Sequence, residues 1–198
     1  MSALLAPPKV AAFPPRRVRF TRAQYFDMAD RGYFAGKRVE RIRGEIVEMS
    51  PIHWPHVLAT GNTADALRVA FAGTGWVNEQ APLALADSDP QPDVAVYPGR
   101  RRNYTDHPTA TDALLVVEVS DSSLDYDTTT KAELYAEDGI REYWVVDLVT
   151  RQLLVFRDPA SIAAGGHSYR SHQAFGSADT VSPLAAPNSM LRVADLLP

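Results

Sequence analysis

Apolar positions along this chain recur with two different periods, which together predict alternating helices and strands. From residue 53 to residue 73 the spacing is that of a helix face, and Gly73 is a stop signal. The predicted inner face of this helix consists of Val57, Thr60, Ala64, Leu67 and Phe71. Runs with strand-like composition are predicted near residues 76–86, 92–97 and 113–120. The run 114–120 is apolar on both faces apart from Glu118, which is typical of a central strand.

Capping and turn signals predict the remaining elements. Thr21 and Gln24 have the spacing of a capping box and predict a short helix that ends near Gly32. Arg43-Gly44 lies at the centre of an alternating segment, 38–49, that predicts a β-hairpin. The other predicted elements are a helix over 127–138 ended by Gly139, a hairpin over 142–148 and 152–157, a strand near 168–174 and a short C-terminal helix. This order predicts an α/β fold, a mixed central β-sheet flanked by helices.

Composition narrows the class of protein. The first 15 residues contain four prolines and predict a disordered or extended leader over residues 1–18, followed by a single domain over residues 19–198. The longest apolar runs are too short to span a bilayer, and no charged leader precedes the N-terminal apolar patch, so neither a membrane segment nor a secretory signal is expected. The chain has no cysteine, which excludes disulfides and fits a reducing cytoplasm.

The charge of the chain is mildly acidic, with one local exception. A net charge of -4 argues against strong standing affinity for nucleic acid, but it allows a basic patch. Arg100, Arg101 and Arg102 form such a patch directly after the strand that begins at Asp93. A run of this kind is either a solvated loop or a set of phosphate contacts. Because it leaves the sheet within a few residues of Asp93, phosphate contact is a credible role.

Two carboxylates occupy strand positions from which they could meet. Asp93 opens the strand-like run 93–97, and Glu118 interrupts the apolar run of the central strand. A lone carboxylate in such a strand needs a partner, because a buried unpaired charge costs several kcal/mol or more. If the two strands are neighbours, both carboxylates can point into one notch, where a hard divalent cation such as Mg²⁺ is a natural partner. The alternatives are a Pro-Asp turn for Asp93 and a structural ion pair for Glu118.

Lys131 is the third candidate residue. It follows Asp127, the predicted N-cap of the helix over 127–138, by four positions. One interpretation is a solvated Asp127–Lys131 pair, which is worth about 0.3–0.5 kcal/mol. The other is that the ammonium reaches the notch and stabilises charge on an attacked phosphate.

These residues together carry a resemblance to a known family. The chain resembles the Uma family of restriction-endonuclease-like proteins, which belongs to the PD-(D/E)XK nuclease superfamily and is abundant in bacteria. The resemblance covers roughly residues 20 to 195. It rests on Pro92-Asp93-Val94, residues 115–120, Asp127, Lys131, Tyr135, Gly139-Ile140 and residues 142–147, together with residues 39–51 and His56.

The resemblance implies a Mg²⁺-dependent phosphodiesterase, with Mn²⁺ as a possible substitute. Carried over by position, Asp93 and Glu118 are metal ligands. The superfamily lysine would follow the glutamate by two residues, where this chain has Ser120, and the family's relocated lysine corresponds to Lys131. Glu40, Glu45 and His56 also match family positions and are candidate accessory residues.

Two functional hypotheses follow. In the first, the protein is an endonuclease that hydrolyses DNA, with backbone contacts from Arg100, Arg101 and Arg102. In the second, it is an inactive nuclease-like fold that binds nucleic acid or protein, which Ser120 and the net negative charge favour slightly. A homodimer is possible in either case, and the hairpin over 142–157 is a candidate exposed edge.

Overall fold

The computed structural model of the chain describes residues 16–163 and 165–198. The helices are α1 (Arg22–Asp30), α2 (Trp54–Ala70), α3 (Leu124–Tyr126) and α4 (Ala132–Glu137), with a π-helical segment, Asp127–Lys131, between α3 and α4. The strands are β1 (Val39–Ile42), β2 (Glu45–Glu48), β3 (Gly75–Glu79), β4 (Val94–Pro98), β5 (Leu115–Ser120), β6 (Glu142–Asp147), β7 (Gln152–Ser161), β8 (His167–Gly176), β9 (Thr180–Val181) and β10 (Leu191–Arg192). Short 3₁₀ turns lie at Arg101–Asn103, Ala110–Asp112 and Val193–Asp195.

Most of the predicted leader lies outside the described residues, so the domain boundary at residue 18 stays a prediction. Within the part of the chain that the structure describes, none of the helices combines the length and apolar character needed to cross a membrane.

Six strands form the central sheet, in the order β3-β4-β5-β6-β7-β8. β5 and β6 are parallel because the chain between them crosses over through α3 and α4, and all other neighbouring strands are antiparallel. Every residue of β5 and β6 is buried, as their apolar runs indicate. The predicted fold class is confirmed. The expected edge at residues 142–157 is wrong, because β6 and β7 lie inside the sheet and its edges are β3 and β8.

Two buried clusters cover the two faces of the sheet. α2 belongs to one cluster, in which Leu67 lies with Val94 and Val117. α4 belongs to the other, in which Tyr135 lies with Ala95 and Val116. Because strand side chains alternate between faces, Asp93 and Glu118 lie on the α4 face of the sheet.

The local signals identify most elements but misplace some boundaries. The capping box of Thr21 and Gln24 is present at the start of α1, and Arg43 and Gly44 turn the β1–β2 hairpin with φ of 49° and 75°. The strand predicted over 76–86 is shorter, because the chain leaves β3 at Gln80, which has a φ of 48°. In α2 the predicted inner face is confirmed except at Val57, which is 45% exposed.

Candidate active site

Asp93 and Glu118 meet at one end of β4 and β5, as the sequence predicts. The strands pair antiparallel with Val94 opposite Val117, so Asp93 and Glu118 stand opposite each other one step beyond that pair. The backbone N–H of Asp93 donates to Oε2 of Glu118 over 3.4 Å, and the N–H of Val119 donates to Oδ2 of Asp93 over 2.8 Å. Both acids are 5% exposed. The two carboxylates are therefore held in one notch by the backbone of the neighbouring strand.

Lys131 reaches this notch from the helical crossover. Its ammonium lies 3.0 Å from Oε1 of Glu118 and 2.8 Å from Oε2 of Glu40, and its side chain is 1% exposed. The predicted N-cap at Asp127 is wrong, because the helix begins at Leu124 and Asp127 is inside it and buried. The solvated Asp127–Lys131 pair is therefore absent from this structure, and Lys131 forms a buried ion pair instead.

A π-helical segment shapes the crossover at this point. The wider turn over Asp127–Lys131 carries the two buried polar residues at its ends, and π-helical turns of this kind are frequent at functional sites. Tyr143 donates a hydrogen bond of 2.9 Å to the backbone carbonyl of Asp127, so this buried carbonyl has a partner. One turn further along, the hydroxyl of Tyr135 donates to Oε1 of Glu118 over 2.6 Å. Lys131 and Tyr135, four residues apart, thus hold the same carboxylate oxygen.

Two of the three accessory candidates lie in the site. Glu40 is 3% exposed, pairs with Lys131 and accepts a hydrogen bond of 3.0 Å from the backbone N–H of Gln91. His56, in the first turn of α2, places Nε2 3.1 Å from Oδ2 of Asp93. Glu45 lies outside, because on β2 it points to solvent and pairs with Arg17 at the surface.

The arginine cluster is not brought to the acids. Asp93 precedes β4, whereas Arg100, Arg101 and Arg102 follow its other end, so the whole strand separates them. All three are exposed. Closeness in the sequence does not bring the arginines to Asp93, because the five residues of β4 extend about 17 Å. Contact of these arginines with DNA stays a prediction, but it would not be contact at the paired acids.

The notch opens into a cavity of about 270 Å³. Its acidic lining residues are Glu40, Glu48, Asp93, Glu118, Asp121 and Asp127. The sequence analysis predicts Asp127 as a helix N-cap and does not identify it as a residue that lines the cavity. The Ser123 hydroxyl donates to Oδ2 of Asp127 over 2.6 Å, and burial raises the pKa of the Asp127 carboxyl.

Burial and charge act against each other at the centre of the site. The pKa of Glu118 is raised to about 8, because burial and the charge of Asp93 raise it by more than the Lys131 ammonium lowers it. For Lys131, burial alone would lower the pKa, but the carboxylates of Glu118 and Glu40 outweigh burial and raise it. For His56, burial again acts to lower the pKa, but the hydrogen bond to Asp93 and the negative charge of Asp93 together outweigh burial and raise the pKa. Lys131 is therefore a charged ammonium with two acidic neighbours, Glu40 and Glu118.

Each of the paired acids keeps one oxygen with weak contacts. Among the described residues, Oδ1 of Asp93 accepts one bond, from Gln80 over 3.5 Å, and Oε2 of Glu118 accepts one bond, from the N–H of Asp93 over 3.4 Å. No group of three or more acidic or histidine side chains within the described chain is arranged to hold a metal. This donor set suits an ion that takes one or two carboxylates and keeps its waters, as Mg²⁺ does, and does not suit an all-protein cage.

We expect Tyr126→Phe to stabilise the protein. The Tyr126 side chain lines the cavity, and its buried hydroxyl forms no hydrogen bond with any described group. An unsatisfied buried hydroxyl costs about 1–3 kcal/mol, so its removal should raise the free energy of unfolding by about 1 kcal/mol in urea denaturation. Tyr135→Phe is the matched control and should be destabilising, because its hydroxyl bonds to Glu118. Equal losses in the two variants would contradict this account.

The fold and the site together define a class. A mixed sheet with flanking helices, whose adjacent strands bring two acids to one notch, is the architecture of restriction-endonuclease-like nucleases. Residues 22–194 match the family model Uma2, described as "Putative restriction endonuclease". The chain belongs to this family, as the resemblance in the sequence indicated.

A solved structure supports the fold. The chain is similar to the crystal structure of a "putative nuclease belonging to DUF820" from Anabaena variabilis, with a TM-score of 0.69 and 15% sequence identity over 89% of this chain and 97% of that chain. A search of curated protein sequences finds no match.

Proposed function

We propose that this protein is a Mg²⁺-dependent endonuclease that hydrolyses phosphodiester bonds of DNA. The observation that carries the proposal is the pairing of Asp93 and Glu118 across β4 and β5, with one weakly bonded oxygen on each acid in a cavity. Family membership supports nuclease chemistry of this kind. The absence of cysteine is compatible with action in the cytoplasm.

Each residue of the site has a role under this proposal. Asp93 and Glu118 would hold Mg²⁺, or Mn²⁺ in its place, and the bound ion would supply an activated water and polarise the phosphate. Val119 and His56 orient Asp93 through its Oδ2 atom. Tyr135 and Lys131 orient Glu118 through its Oε1 atom and so direct Oε2 away from them.

Lys131 acts in this arrangement as a positioning residue. Its ammonium contacts two carboxylates, and its side chain is almost fully buried. The expected contact between Lys131 and a substrate phosphate stays a prediction. A residue that acts through Glu118 can still be essential, because a misplaced metal ligand loses the geometry that catalysis requires.

The test is a cleavage assay on plasmid and single-stranded DNA, with Mg²⁺, with Mn²⁺ and with chelator. We expect cleavage that requires the metal and falls at least about 100-fold in Asp93→Asn and in Glu118→Gln. Glu45→Gln makes the same chemical change outside the cavity and should cleave like the wild type. Metal-dependent cleavage that survives in both active-site variants would place the chemistry elsewhere.

A nuclease-like fold that only binds is the second candidate. It is favoured by Ser120, which stands where the superfamily lysine would be, and by the engagement of Lys131 with two carboxylates. Calorimetric titration with Mn²⁺ separates the two. The endonuclease should bind the ion in the wild type and lose binding in Asp93→Asn, whereas a binding module should show no such difference. A homodimer could serve either candidate and is tested by sedimentation.

A further inference from the structure

The lining of the active-site cavity is acidic, with one arginine in it. Six acidic side chains line the cavity, and within residues 16–163 and 165–198 Arg38 is the one lysine or arginine among its lining residues. Lys131 does not line it, because its side chain is 1% exposed and lies against Glu118 and Glu40. The acidic lining repels a polyanion except where a bound metal ion or a cationic side chain offsets the charge. Arg38 is the lining residue that always carries such a charge.

The β1–β2 hairpin places Arg38 at the mouth of the cavity. Arg38 directly precedes β1, and its carbonyl accepts from the N–H of Met49 over 2.8 Å, so it extends the pairing of the hairpin by one step. Side chains two positions apart point to the same face of a strand, and Arg38 and Glu40 both line the cavity. Two strand steps extend about 7 Å. Glu40 is 3% exposed and Arg38 is exposed, so Arg38 lies further out.

The guanidinium of Arg38 is anchored but keeps its charge and most of its donors. Its Nη1 atom donates to the backbone carbonyl of Ser50 over 3.0 Å. Among the described residues it forms no ion pair, so the carboxylates of the cavity lie beyond ion-pair distance from it. A guanidinium has five N–H donors in a fixed fork that matches the geometry of a phosphate. The bond to Ser50 therefore holds a phosphate-binding group at the mouth without neutralising it.

The position of Arg38 separates it from the phosphate that would be cleaved. Under the proposed function, the scissile phosphate lies at the ion held by Asp93 and Glu118. A side chain that shared this phosphate would lie close to these two carboxylates, as Lys131 lies close to Glu118. Arg38 is instead at the mouth, which the DNA backbone has to cross on its way out of the cavity.

We propose that Arg38 binds the backbone phosphate next to the scissile one. The inference rests on the proposed nuclease function and specifies its substrate as a polynucleotide with a charged linkage beside the cleaved bond, in contrast to an isolated phosphodiester. A charge-assisted, bidentate contact of this kind fixes the position of the strand at the metal. It carries no base information, so Arg38 contributes to affinity equally on any sequence.

Kinetics of an Arg38→Gln variant test the contact from the side of the protein. Glutamine removes the charge and keeps an N–H donor for the carbonyl of Ser50. With Mg²⁺, the KM for DNA should rise about 10-fold and kcat should stay within about 2-fold, because the contact is made before and during the reaction. The dependence of KM on salt should become shallower by about one phosphate. Arg38→Lys keeps the charge without the fork and should have an intermediate KM.

The matched control is Arg170→Gln. Arg170 is an exposed arginine on the edge strand β8, three strands away from β5, so the variant loses the same charge outside the cavity. It should cleave DNA with the KM of the wild type. Urea denaturation of Arg38→Gln separates a lost contact from a lost fold, since a lost phosphate contact leaves the free energy of unfolding close to that of the wild type.

A neutral linkage tests the same contact from the side of the substrate. In an oligonucleotide whose phosphodiesters alternate with uncharged methylphosphonates, each cleavable bond lacks a charged neighbour. Compared with the natural oligonucleotide, its KM should rise about 10-fold more for the wild type than for Arg38→Gln, which has already lost the contact. An equal rise in the two proteins would overturn the inference.

The outcomes separate this inference from the nuclease proposal. Metal-dependent cleavage with an unchanged KM in Arg38→Gln, or with a loss confined to kcat, would overturn the inference and leave the nuclease standing. If the wild type does not cleave, fluorescence anisotropy with labelled DNA in Mg²⁺ decides. Affinity about 10-fold weaker in Arg38→Gln would support the phosphate contact and remove the nuclease, whereas equal affinity, or no binding by the wild type, would overturn both.

Discussion

Replacing Lys131 with methionine is expected to lower the free energy of unfolding by about 3–5 kcal/mol. The ammonium lies between Glu40 and Glu118, and all three side chains are at most 7% exposed. Methionine fills a similar volume but leaves a buried carboxylate without its cation, which is the costly way to break a buried ion pair. Denaturation in urea measures the loss, with the slope of the transition checked for a change in the unfolded state.

Two comparisons identify the cause of this loss. Lys37→Met removes a lysine from a 2.7 Å pair with Glu48 in which both side chains are more than half exposed, and it should cost about 1 kcal/mol or less. The double variant Lys131→Met with Glu40→Gln removes both charges of the buried pair and should recover most of the stability. A Lys131→Met loss no larger than that of Lys37→Met would show that the buried ammonium contributes little.

The loss in Lys131→Met should also depend on pH. Burial raises the pKa of Glu118 to about 8 although the Lys131 ammonium lowers it, so the pKa of Glu118 in the variant is still higher. A folded-state pKa above the unfolded value gives stability that is lost as the pH rises through the folded pKa. Wild-type Glu118 ionises near pH 8, whereas in the variant it keeps its proton to higher pH. The part of the loss in free energy of unfolding that comes from Glu118 should therefore grow as the pH rises through about 8.

Local patterns in the sequence predicted the fold because this fold follows local rules. The capping box of Thr21, the Arg43-Gly44 turn and the stop at Gly139 are all short-range signals, and all three are found in the structure. The parallel pairing of β5 with β6 follows from a helix between two buried strands. The end of β3 was not predictable in this way, since the chain leaves the sheet at Gln80 although its composition remains apolar.

The paired acids were predictable for the same reason, and their partners were not. Glu118 is identified as a candidate because it interrupts an apolar strand, and Asp93 because it stands at the start of a strand. The partner of Lys131 is Glu40, which lies 91 residues earlier in the chain, in the β1–β2 hairpin. Glu40 stands next to Arg41 on β1, a strand that is covered on both faces. Periodicity cannot reveal a contact of this length, and the solvated pair with Asp127 was the simpler local interpretation. The expectation that the arginines at 100–102 lie near Asp93 failed for the opposite reason. Residues at the two ends of an extended strand are close in the sequence but far apart in space.

Asp89→Ala is expected to cost about 3–5 kcal/mol, because it leaves Arg41 buried without a counter-charge. Asp89 is 1% exposed, and its two oxygens accept from Nε of Arg22 over 2.5 Å and from Nε of Arg41 over 2.7 Å. Arg41 is itself 5% exposed. The control is Asp27→Ala, which breaks a 2.8 Å pair with Arg31 on the surface of α1 and should cost about 0.5 kcal/mol or less.

The consequence of Asp89→Ala should extend to the candidate active site. Arg41 is the neighbour of Glu40 on β1, and the Asp89 carboxylate accepts from Nε of Arg41 over 2.7 Å, so the Asp89 side chain anchors the strand that supplies Glu40. If the hairpin moves, Lys131 loses one of its two carboxylates and Glu118 loses part of its support. We therefore expect metal-dependent cleavage to fall in Asp89→Ala at temperatures where the variant is still folded, while Asp27→Ala cleaves like the wild type. Full cleavage in folded Asp89→Ala would mean that Glu118 is positioned without the hairpin.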